Sequence, residues 1–365
     1  MADSLPIYVP ALPARSSALA AYAQLKPWVR ATIAPLWTIP PRTGPVRLLG
    51  HRPTVPHDRN QHALAAHVRG RTVSIMRAQK ALPAWVDAFH VEDEEWPVRS
   101  GLWSCLPASP LRPVTGTERA DWQQEAAAEV ARASGNGLGI RVRVPELPDE
   151  RRSEAVRGMI DRIRAGGTVP LDLLLDLGDV TDEHHRADKW ALRAWDLLGR
   201  LHRWRTVVVL AGSVPCSVTD LAVGAMTEPH RFDWDIRHMM LHAGAAVVPR
   251  LTYGDYGAQH TRGADHPAGG WSPPWGFLRY TTERTFLLAK AATEGEGRAA
   301  GVRSLARQIV ETPEFRGAGF SDGDRWLEQC ARGTGRAGTG GVGKWIEAGH
   351  NGHMTYVARQ LTDTG

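Results

Sequence analysis

The chain has 365 residues, of which 42% are hydrophobic and 23% are charged, and its formal net charge is +5. These values are ordinary for a globular protein, and the chain lacks the apolar run of about 18 residues that would cross a membrane. A positive surface attracts anions or nucleic acid, but no dense block of Lys and Arg marks a nucleic-acid surface. We therefore interpret the excess charge as a mildly basic, solvated surface.

Two features bear on where the protein works. The N-terminal residues lack the basic start and the apolar run of a secretory signal. Cys105, Cys216 and Cys330 lie far apart and form no C-x-x-C motif, which is typical of incidental thiols in a reducing compartment. The sequence therefore predicts a cytoplasmic protein that does not associate with a membrane.

Eight short apolar or β-branched runs alternate with longer amphipathic stretches, a pattern typical of parallel βα units. The runs occupy residues 7–12, 33–39, 85–91, 111–115, 138–144, 171–177, 206–211 and 246–253. Helices are predicted between them, most clearly at residues 121–134, 152–165, 188–203 and 232–243. Eight strands with seven crossovers favour a closed barrel over an open sheet, and no G-x-G-x-x-G motif follows the first run.

The alternation predicts an α/β fold of one particular kind, a (β/α)8 TIM-type barrel with a C-terminal extension. We expect the barrel core over residues 1–260. Residues 261–365 are expected to form the last barrel helix and a cap packed on the barrel, because the alternation of runs and helices stops after the eighth run.

Charged residues recur on one face of the fifth and sixth runs. Arg141 and Arg143 alternate with apolar residues in the fifth run, and Asp172 and Asp176 do so in the sixth. Because successive side chains of a strand point to opposite faces, these four are expected inside the barrel. We predict an ion pair between Arg143 and Asp176, near the strand ends where barrel enzymes place their sites.

Two interpretations of this pair stay open. It is either a structural ion pair that sets strand register in the lumen, or an anion-binding arginine that an aspartate orients. Asp87 in the third run and Arg112 in the fourth extend the same inward ring. For Asp87, a half-buried polar residue is the favoured interpretation.

The chain beyond the eighth run supplies further site residues. Asp255 directly follows that run, so it is expected at the catalytic face of the barrel, with an Asx turn as the structural alternative. Arg279 and the adjacent Tyr280 suit a carboxylate or phosphate group. Asp324 and His353 are polar residues that have no strand of their own to complete.

The C-terminal extension is expected to fold over the barrel mouth and to bring His353 near Asp255. Segment 271–280 is rich in aromatic residues and proline without a helical period, as expected of a rigid lid. The barrel mouth offers the largest concave surface against which such a segment can pack. The alternative is that the extension packs on the outer helices and only stabilises the fold.

The sequence identifies no cofactor and predicts no metal site. It contains no H-E-x-x-H motif, and scattered carboxylates do not define a site for a hard metal ion. The glycine-rich segment 338–344 matches the spacing of a phosphate-binding loop, but Trp345 stands where Ser or Thr should bind Mg2+. A glycine loop is therefore the favoured interpretation of this segment.

Several short motifs, taken in order along nearly the whole chain, resemble the bacterial and phage "beta family protein" group. They are Tyr8-Val9-Pro10, residues 33–41 (IAPLWTIPP), Leu175-Asp176-Leu177-Gly178, Tyr253-Gly254-Asp255-Tyr256-Gly257, Leu278-Arg279-Tyr280-Thr281, residues 320–324 (FSDGD), and Trp345 with Asn351-Gly352-His353. This sequence departs from the group's usual pattern at two positions. Thr38 stands where the group usually has an acid, and Gly352 replaces the first histidine of a pair.

The resemblance implies little about activity, because the group is essentially uncharacterised. Its members look like accessory genes of phages and bacteria, so the resemblance implies a role in phage–bacterium conflict without naming a reaction.

The leading hypothesis is a cytoplasmic barrel hydrolase that acts on an anionic substrate bearing a phosphate or carboxylate group. The predicted catalytic residues are Asp176, Asp255 and His353, and the predicted substrate-binding residues are Arg141, Arg143, Arg279, Tyr280 and Asp324. The alternative is a non-catalytic module that binds a protein or nucleic acid on the same scaffold. One pocket that contains all these residues would favour the enzyme, and dispersal of the residues would favour the module.

Overall fold

A computed structural model describes residues 5–42, 57–181, 186–216, 220–243, 251–264, 274–336 and 338–363. The strands are β1 (Tyr8–Pro13), β2 (Leu36–Thr38), β3 (Ala84–Asp87), β4 (Leu111–Thr115), β5 (Leu138–Arg143), β6 (Leu171–Asp179), β7 (Val207–Gly212), β8 (Met226–Thr227), β9 (Leu251–Asp255), β10 (Trp275–Thr281) and β11 (Phe286–Ala292). The α-helices are α1 (Ser16–Ala23), α2 (Pro27–Thr32), α3 (His57–Gln79), α4 (Glu95–Val98), α5 (Asp121–Ser134), α6 (Glu150–Ala165), α7 (Ala187–Leu198), α8 (Phe232–His242), α9 (Arg298–Val310), α10 (Asp322–Arg332) and α11 (Val342–Asp363). Short turns of 3-10 or π helix lie at Phe89–Val91, Arg99–Trp103, Leu106–Ala108 and Thr261–Ala264.

Eight parallel strands close into a barrel in the order β1-β2-β3-β4-β5-β6-β7-β9. The ring closes where β9 pairs with β1, with Tyr253 opposite Tyr8. The predicted (β/α)8 barrel is therefore confirmed, and all eight strands fall on the predicted runs. The first part of the eighth run, residues 246–250, lies outside the described residues.

The inward and outward faces of the strands follow the sequence alternation. On β6, Leu173 and Leu175 join the apolar core between the barrel and its helices, whereas Leu174 belongs to a separate apolar cluster in the lumen. Asp172 and Asp176 lie on the same face of β6 as Leu174 and are buried. The lumen is thus an apolar layer with a charged layer at each end.

A cap adjoins the barrel at its C-terminal side. Its antiparallel sheet has the order β10-β11-β8, so one strand comes from the connection between β7 and α8 and two come from the extension. This sheet and the helices α9 and α10 enclose a second apolar core. The expected domain division between residues 260 and 261 stays a prediction.

Helix α11 joins the two cores. Near its start, Trp345 is 1% exposed within the cap core and donates from Nε1 to the Thr339 carbonyl at 2.8 Å. Near its end, Met354 and Val357 are buried in the barrel core, where α11 packs beside α1. The helix therefore carries its middle residues, 350–353, to the junction of barrel and cap. Among the described helices, none combines the length and apolar character that crossing a membrane requires.

Candidate functional site at the barrel mouth

Four buried side chains form a hydrogen-bonded group at the carboxyl-terminal end of the lumen, which we call the mouth network: Asp87, Arg141, Asp176 and Tyr256. Arg141 Nη1 lies 2.6 Å from Asp87 Oδ2. Its Nε and Nη2 lie 3.0 and 2.6 Å from Asp176 Oδ2. Tyr256 donates to Asp176 Oδ1 at 2.6 Å and accepts from Arg141 Nη2 at 3.1 Å. Each buried charge therefore has the partner that its desolvation requires.

A second arginine supports the network from the α5 side. Arg119 Nη2 lies 3.0 Å from Asp87 Oδ1, and Arg119 Nη1 lies 2.6 Å from Glu92 Oε2. Burial alone would raise the pKa of Asp87, but Arg119 and Arg141 hold it below its ordinary value. Burial, reinforced by the nearby Asp87, raises the pKa of Glu92 to about 7 despite the contact with Arg119. Asp87 is therefore a fixed anion that anchors both arginines.

The opposite end of the lumen has a structural ion network. Asp172 Oδ1 accepts from Arg205 Nε at 2.8 Å, and Asp172 Oδ2 accepts from Trp85 Nε1 at 3.0 Å. Arg112 Nη1 lies 3.8 Å from the same carboxylate. This end is the amino-terminal face of the barrel, where polar residues contribute stability rather than chemistry.

Asp176 pairs with Arg141, not with Arg143 as predicted. Arg143 does lie opposite Asp176 in the β5–β6 register. However, Arg143 is exposed, and its guanidinium lies 4.0 Å from the centre of the Phe89 ring. Side chains lean along the strand direction, so the long Arg141 side chain reaches Asp176 from two residues earlier. Arg143 ends β5 and extends beyond the buried lumen.

A cavity of about 360 Å³ lies above the mouth network. Three residues of the network contribute to its lining, namely Arg141, Asp176 and Tyr256. The remaining polar lining includes Arg143, Asp179 and Arg262, and Trp190 adds an aromatic face. Thr38, at the position where the related group usually has an acid, also lines the cavity. The cavity is thus at the carboxyl-terminal ends of the strands, the usual site position of a barrel.

The cavity wall combines two exposed arginines with one incompletely bonded carboxylate. Arg143 and Arg262 are exposed, and neither forms an ion pair with a residue in the described ranges. Asp179 Oδ2 lies 3.2 Å from His260 Nε2. Asp179 Oδ1 is buried and has no hydrogen-bond partner among the described residues. The two arginines of the wall are therefore available to an anion, and the Asp179 carboxylate is available to a hydrogen-bond donor.

Barrel and cap meet at a second buried group, which we call the junction cluster: Tyr8, Asp255, Thr281 and His353. His353 Nε2 lies 2.9 Å from Asp255 Oδ2, so the expected approach of these two residues is confirmed. Tyr8 donates to Asp255 Oδ1 at 2.6 Å, and Thr281 Oγ1 lies 2.9 Å from His353 Nδ1. His353 is only 1% exposed, and neither it nor Asp255 lines the mouth cavity.

Electrostatics at the junction cluster favour an ionised aspartate. Burial alone would raise the pKa of Asp255, but His353, Tyr8 and the Gly257 N–H hold it below its ordinary value. Burial lowers the pKa of the neighbouring His350 to about 3, because that ring is fully enclosed and lies near other cationic groups. The Gly257 contact, 2.8 Å to Asp255 Oδ1, is the Asx-type turn considered from the sequence.

The other predicted binding residues belong to the cap. Arg279 Nη1 donates to the Phe277 carbonyl at 3.0 Å on one face of β10. Tyr280, on the other face, is buried in the cap core and donates to Asp324 Oδ1 at 3.0 Å. Gly352 lies beside Asp324, since a Cβ there would be 3.6 Å from Asp324 Oδ2. None of these residues lines the mouth cavity.

The structure therefore separates the predicted residues into three places, and Arg279, Tyr280 and Asp324 lie in the cap. Arg141, Arg143 and Asp176 meet at the mouth cavity, and Asp255 with His353 lies in the closed junction cluster. The described residues contain no group of three or more His, Cys, Asp and Glu side chains that could hold a metal ion.

Sequence reasoning missed Asp179, His260 and Arg262. Asp179 has the opposite parity to Asp172 and Asp176, and the β6–β7 register shifts between Asp176 and Asp179. It also lies past the end of the recognised apolar run, 171–177, so strand alternation does not place it in the cavity wall. His260 and Arg262 follow β9 in a segment without strand or helix periodicity. Only the position rule for barrels, which points to the residues just after each strand, would have indicated them.

Comparison with known proteins agrees with the order of motifs along the chain. The sequence matches the family model described as Beta protein over residues 8–359, which span the barrel, the cap and both polar groups. Neither the curated proteins nor the solved structures contain a match to the chain. Because the family model covers nearly its whole length, the chain belongs to the Beta protein family.

Proposed function

We propose that the protein binds a small anionic ligand, bearing a phosphate or carboxylate group, in the mouth cavity. The observation that carries this proposal is the pair Arg143 and Arg262, two exposed arginines in the wall of one cavity. Neither has an ion-pair partner among the described residues. Guanidinium groups present parallel N–H donors that match the oxygens of carboxylates and phosphates. These two arginines therefore favour an anionic group on the ligand.

Arg141 has a different part in the proposed site. Its N–H groups already donate to Asp87, Asp176 and Tyr256, so two carboxylates balance its charge. We propose that it positions Asp176 and Tyr256 under the ligand and contributes little net attraction for an anion. Both arginines of β5 therefore belong to the proposed site: Arg141 positions its neighbours, and Arg143 contacts the ligand.

The geometry around Arg143 supports a preformed site. The Phe89 ring lies 4.0 Å from the guanidinium, a cation–π contact worth about 0.5–1 kcal/mol at an exposed position. This contact limits the conformations that the free side chain adopts and reduces the entropy that binding must remove. The volume of about 360 Å³ lies within the usual range of small-molecule sites.

Hydrolysis of an ester bond in the bound anion is the reaction that we propose: the oxygen of water bonds to the phosphorus or the carbonyl carbon, the ester C–O or P–O bond breaks, and the alcohol leaves with a proton from water. Asp176 stays in the proposed catalytic site because it lines the cavity. Asp255 and His353 are proposed to act indirectly, by holding α11 and the cap against the end of β9. The alternative of a non-catalytic module uses the same mouth, but its partner would be a protein or a nucleic acid.

Two broader parts of the proposal have their own support. A cytoplasmic location is supported by Cys105, Cys216 and Cys330, all of which are free thiols. A role in phage–bacterium conflict has support only from the resemblance to that group of proteins, because no feature of the cavity bears on it.

The test is titration of the full chain with inorganic phosphate and with acetate, followed by calorimetry or NMR. Arg143→Met and Arg262→Met should each weaken binding about tenfold, since a charge-assisted hydrogen bond contributes about 1.5–3 kcal/mol. The control is Arg77→Met, which removes an exposed arginine in the last turn of α3. Binding that is absent, or that all three variants leave unchanged, would contradict the proposal.

Turnover is measured on the same samples. A hydrolase should release phosphate from phenyl phosphate or acid from a carboxylate ester, and Arg143→Met should reduce that rate. Anion binding without any release would remove the hydrolase part and leave a binding protein. Tight binding of an oligonucleotide that survives both arginine substitutions would favour the module instead.

A further inference from the structure

The carboxylate in the cavity wall indicates that the ligand has a second functional group. Asp179 is the last residue of β6, and its Oδ2 lies 3.2 Å from His260 Nε2. Its other oxygen, Oδ1, is buried without a hydrogen-bond partner among the described residues. A buried acceptor without a donor costs about 1–3 kcal/mol, and more when it is charged. The Asp179 side chain as a whole is 33% exposed and lines the cavity, so a donor on a ligand that meets this carboxylate recovers the cost.

His260 fixes the direction of this carboxylate. The backbone N–H of Arg262 donates to His260 Nδ1 at 3.1 Å, so Nδ1 is the acceptor of the neutral ring. Nε2 then carries the proton and donates a hydrogen bond to Asp179 Oδ2. Both ring nitrogens are used, which leaves His260 as a positioning residue. Asp179 is held with one oxygen satisfied and one without a donor.

The other carboxylate of the cavity wall already accepts hydrogen bonds at both oxygens. Asp176 accepts from Arg141 through Oδ2, and from Tyr256 and the Gly178 N–H through Oδ1. Asp179 is therefore the one aspartate of the described cavity lining that lacks a donor. The cavity wall also contains Arg143 and Arg262. A single small ligand in this cavity therefore meets both the two arginines and the Asp179 carboxylate.

We infer that the natural ligand is zwitterionic: its anionic group lies on Arg143 and Arg262, and a protonated amine lies on Asp179. This inference rests on the proposed function and adds the second group to it. Phosphorylated amines and amino acids have this chemistry, whereas simple phosphates and carboxylates lack the amine. A site that is built to bond a donor discriminates against an analogue without one, because its acceptor stays unpaired.

The experiment compares two phosphate monoesters of the same length. Phosphoethanolamine ends in an ammonium group, and n-propyl phosphate ends in a methyl group at the same position. Both are titrated into the full chain and followed by NMR or calorimetry. Phosphoethanolamine should bind at least tenfold more tightly than n-propyl phosphate. Asp179→Asn should remove this preference, while n-propyl phosphate binds the variant as tightly as before or more tightly.

Two further variants separate binding from folding. His260→Gln should reduce the preference without abolishing phosphate binding, because Asp179 keeps its charge but loses its support. Asp161→Asn, on the exposed side of α6, is the matched control and should change neither affinity. Thermal unfolding of each variant shows whether the fold is intact.

The outcomes distinguish this inference from the proposed function. If both esters bind with equal affinity, the anion site stands and the zwitterion inference is wrong. If neither ester binds although inorganic phosphate or acetate does, the zwitterion inference is wrong and the anion site stands; if none of the four binds, both proposals are wrong. If Asp179→Asn weakens both esters equally, Asp179 is structural and the inference is also wrong.

Discussion

Asp176→Ala is the substitution that most directly tests the mouth network. It removes the acceptor of four hydrogen bonds, two from Arg141, one from Tyr256 and one from the Gly178 N–H. Arg141 keeps only Asp87 as a carboxylate partner, at 2.6 Å. Breaking a buried ion pair from one side costs about 3–5 kcal/mol. Because Asp87 still balances part of the charge, we expect the lower end, about 3 kcal/mol.

This free energy converts into a measurable change of melting temperature. A chain of 365 residues unfolds with an entropy of about 0.8 kcal/mol per kelvin if the usual value per residue holds. A loss of about 3 kcal/mol therefore lowers the midpoint by about 4 °C. Calorimetry gives the midpoint. Urea unfolding monitored by circular dichroism gives the same loss as a lower midpoint concentration with an unchanged slope.

The control for Asp176→Ala is an ion pair on the surface. Asp196 lies 3.4 Å from Arg200 one helical turn away, and its side chain is 52% exposed. Exposed pairs of this type contribute about 0.3–0.5 kcal/mol, so Asp196→Ala should change the midpoint by less than about 1 °C. If Asp176→Ala lowers the midpoint by no more than Asp196→Ala does, the buried network is refuted.

Three further predictions concern the junction and the cap. Gly352→Ala should raise the free energy of unfolding by about 0.5–1 kcal/mol, because alanine loses less chain entropy in a helix and its Cβ would lie no closer than 3.6 Å to a neighbouring side chain. Arg279→Met should raise the free energy of unfolding by about 1 kcal/mol. Burial lowers the pKa of Arg279 to about 10, and no carboxylate of the described residues pairs with this arginine. His350→Gln should reduce acid sensitivity. Burial lowers the pKa of His350 from 6.5 to about 3, so the folded state excludes a proton that the unfolded chain binds. Wild-type stability is then lost as the pH falls below about 6.5, by about 1.4 kcal/mol per pH unit, and the variant should lack this contribution.

Each of these predictions has its own check in urea unfolding. Gly323→Ala is the control for Gly352→Ala and should destabilise by about 1–3 kcal/mol, because its Cβ would collide with the Ala348 carbonyl. Equal effects of the two glycine substitutions would contradict the packing at Gly352. A less stable Arg279→Met would mean that the arginine has a stabilising partner. Parallel pH profiles of wild type and His350→Gln between pH 7 and 5 would show that His350 takes up its proton in the folded state.

Periodicity along single strands was sufficient to predict the barrel. The alternation in 138–144 and 171–177 correctly assigned Arg141, Asp172 and Asp176 to the lumen. These assignments need only the two-residue period of a strand and the cost of burying charge beside the outer helices. The eight runs and their helices then follow from the same local pattern, as the closed strand order shows.

The approach of His353 to Asp255 was predicted from the position rule and from the lack of any other surface for the C-terminal elements. The structure places the two 2.9 Å apart, yet encloses them between barrel and cap. Enclosure depends on how α11 fits against β1 and β10, and side-chain packing at that contact has no signal in a local sequence pattern. Proximity was therefore predictable, and access to a ligand was not.

The sequence by itself determined the barrel, the inward charges of β5 and β6, and the convergence of strand ends at one mouth, because each follows from local periodicity. Only the tertiary structure decided which arginine neutralises Asp176 and which is exposed in the cavity wall. That choice depends on strand tilt and side-chain reach, since Arg141 and Arg143 have the same type and the same parity. Only the fold, likewise, brings Asp179 to His260 across 81 residues of sequence. The reason is that β6, which ends at Asp179, and β9, which precedes His260, end at the same face of the barrel.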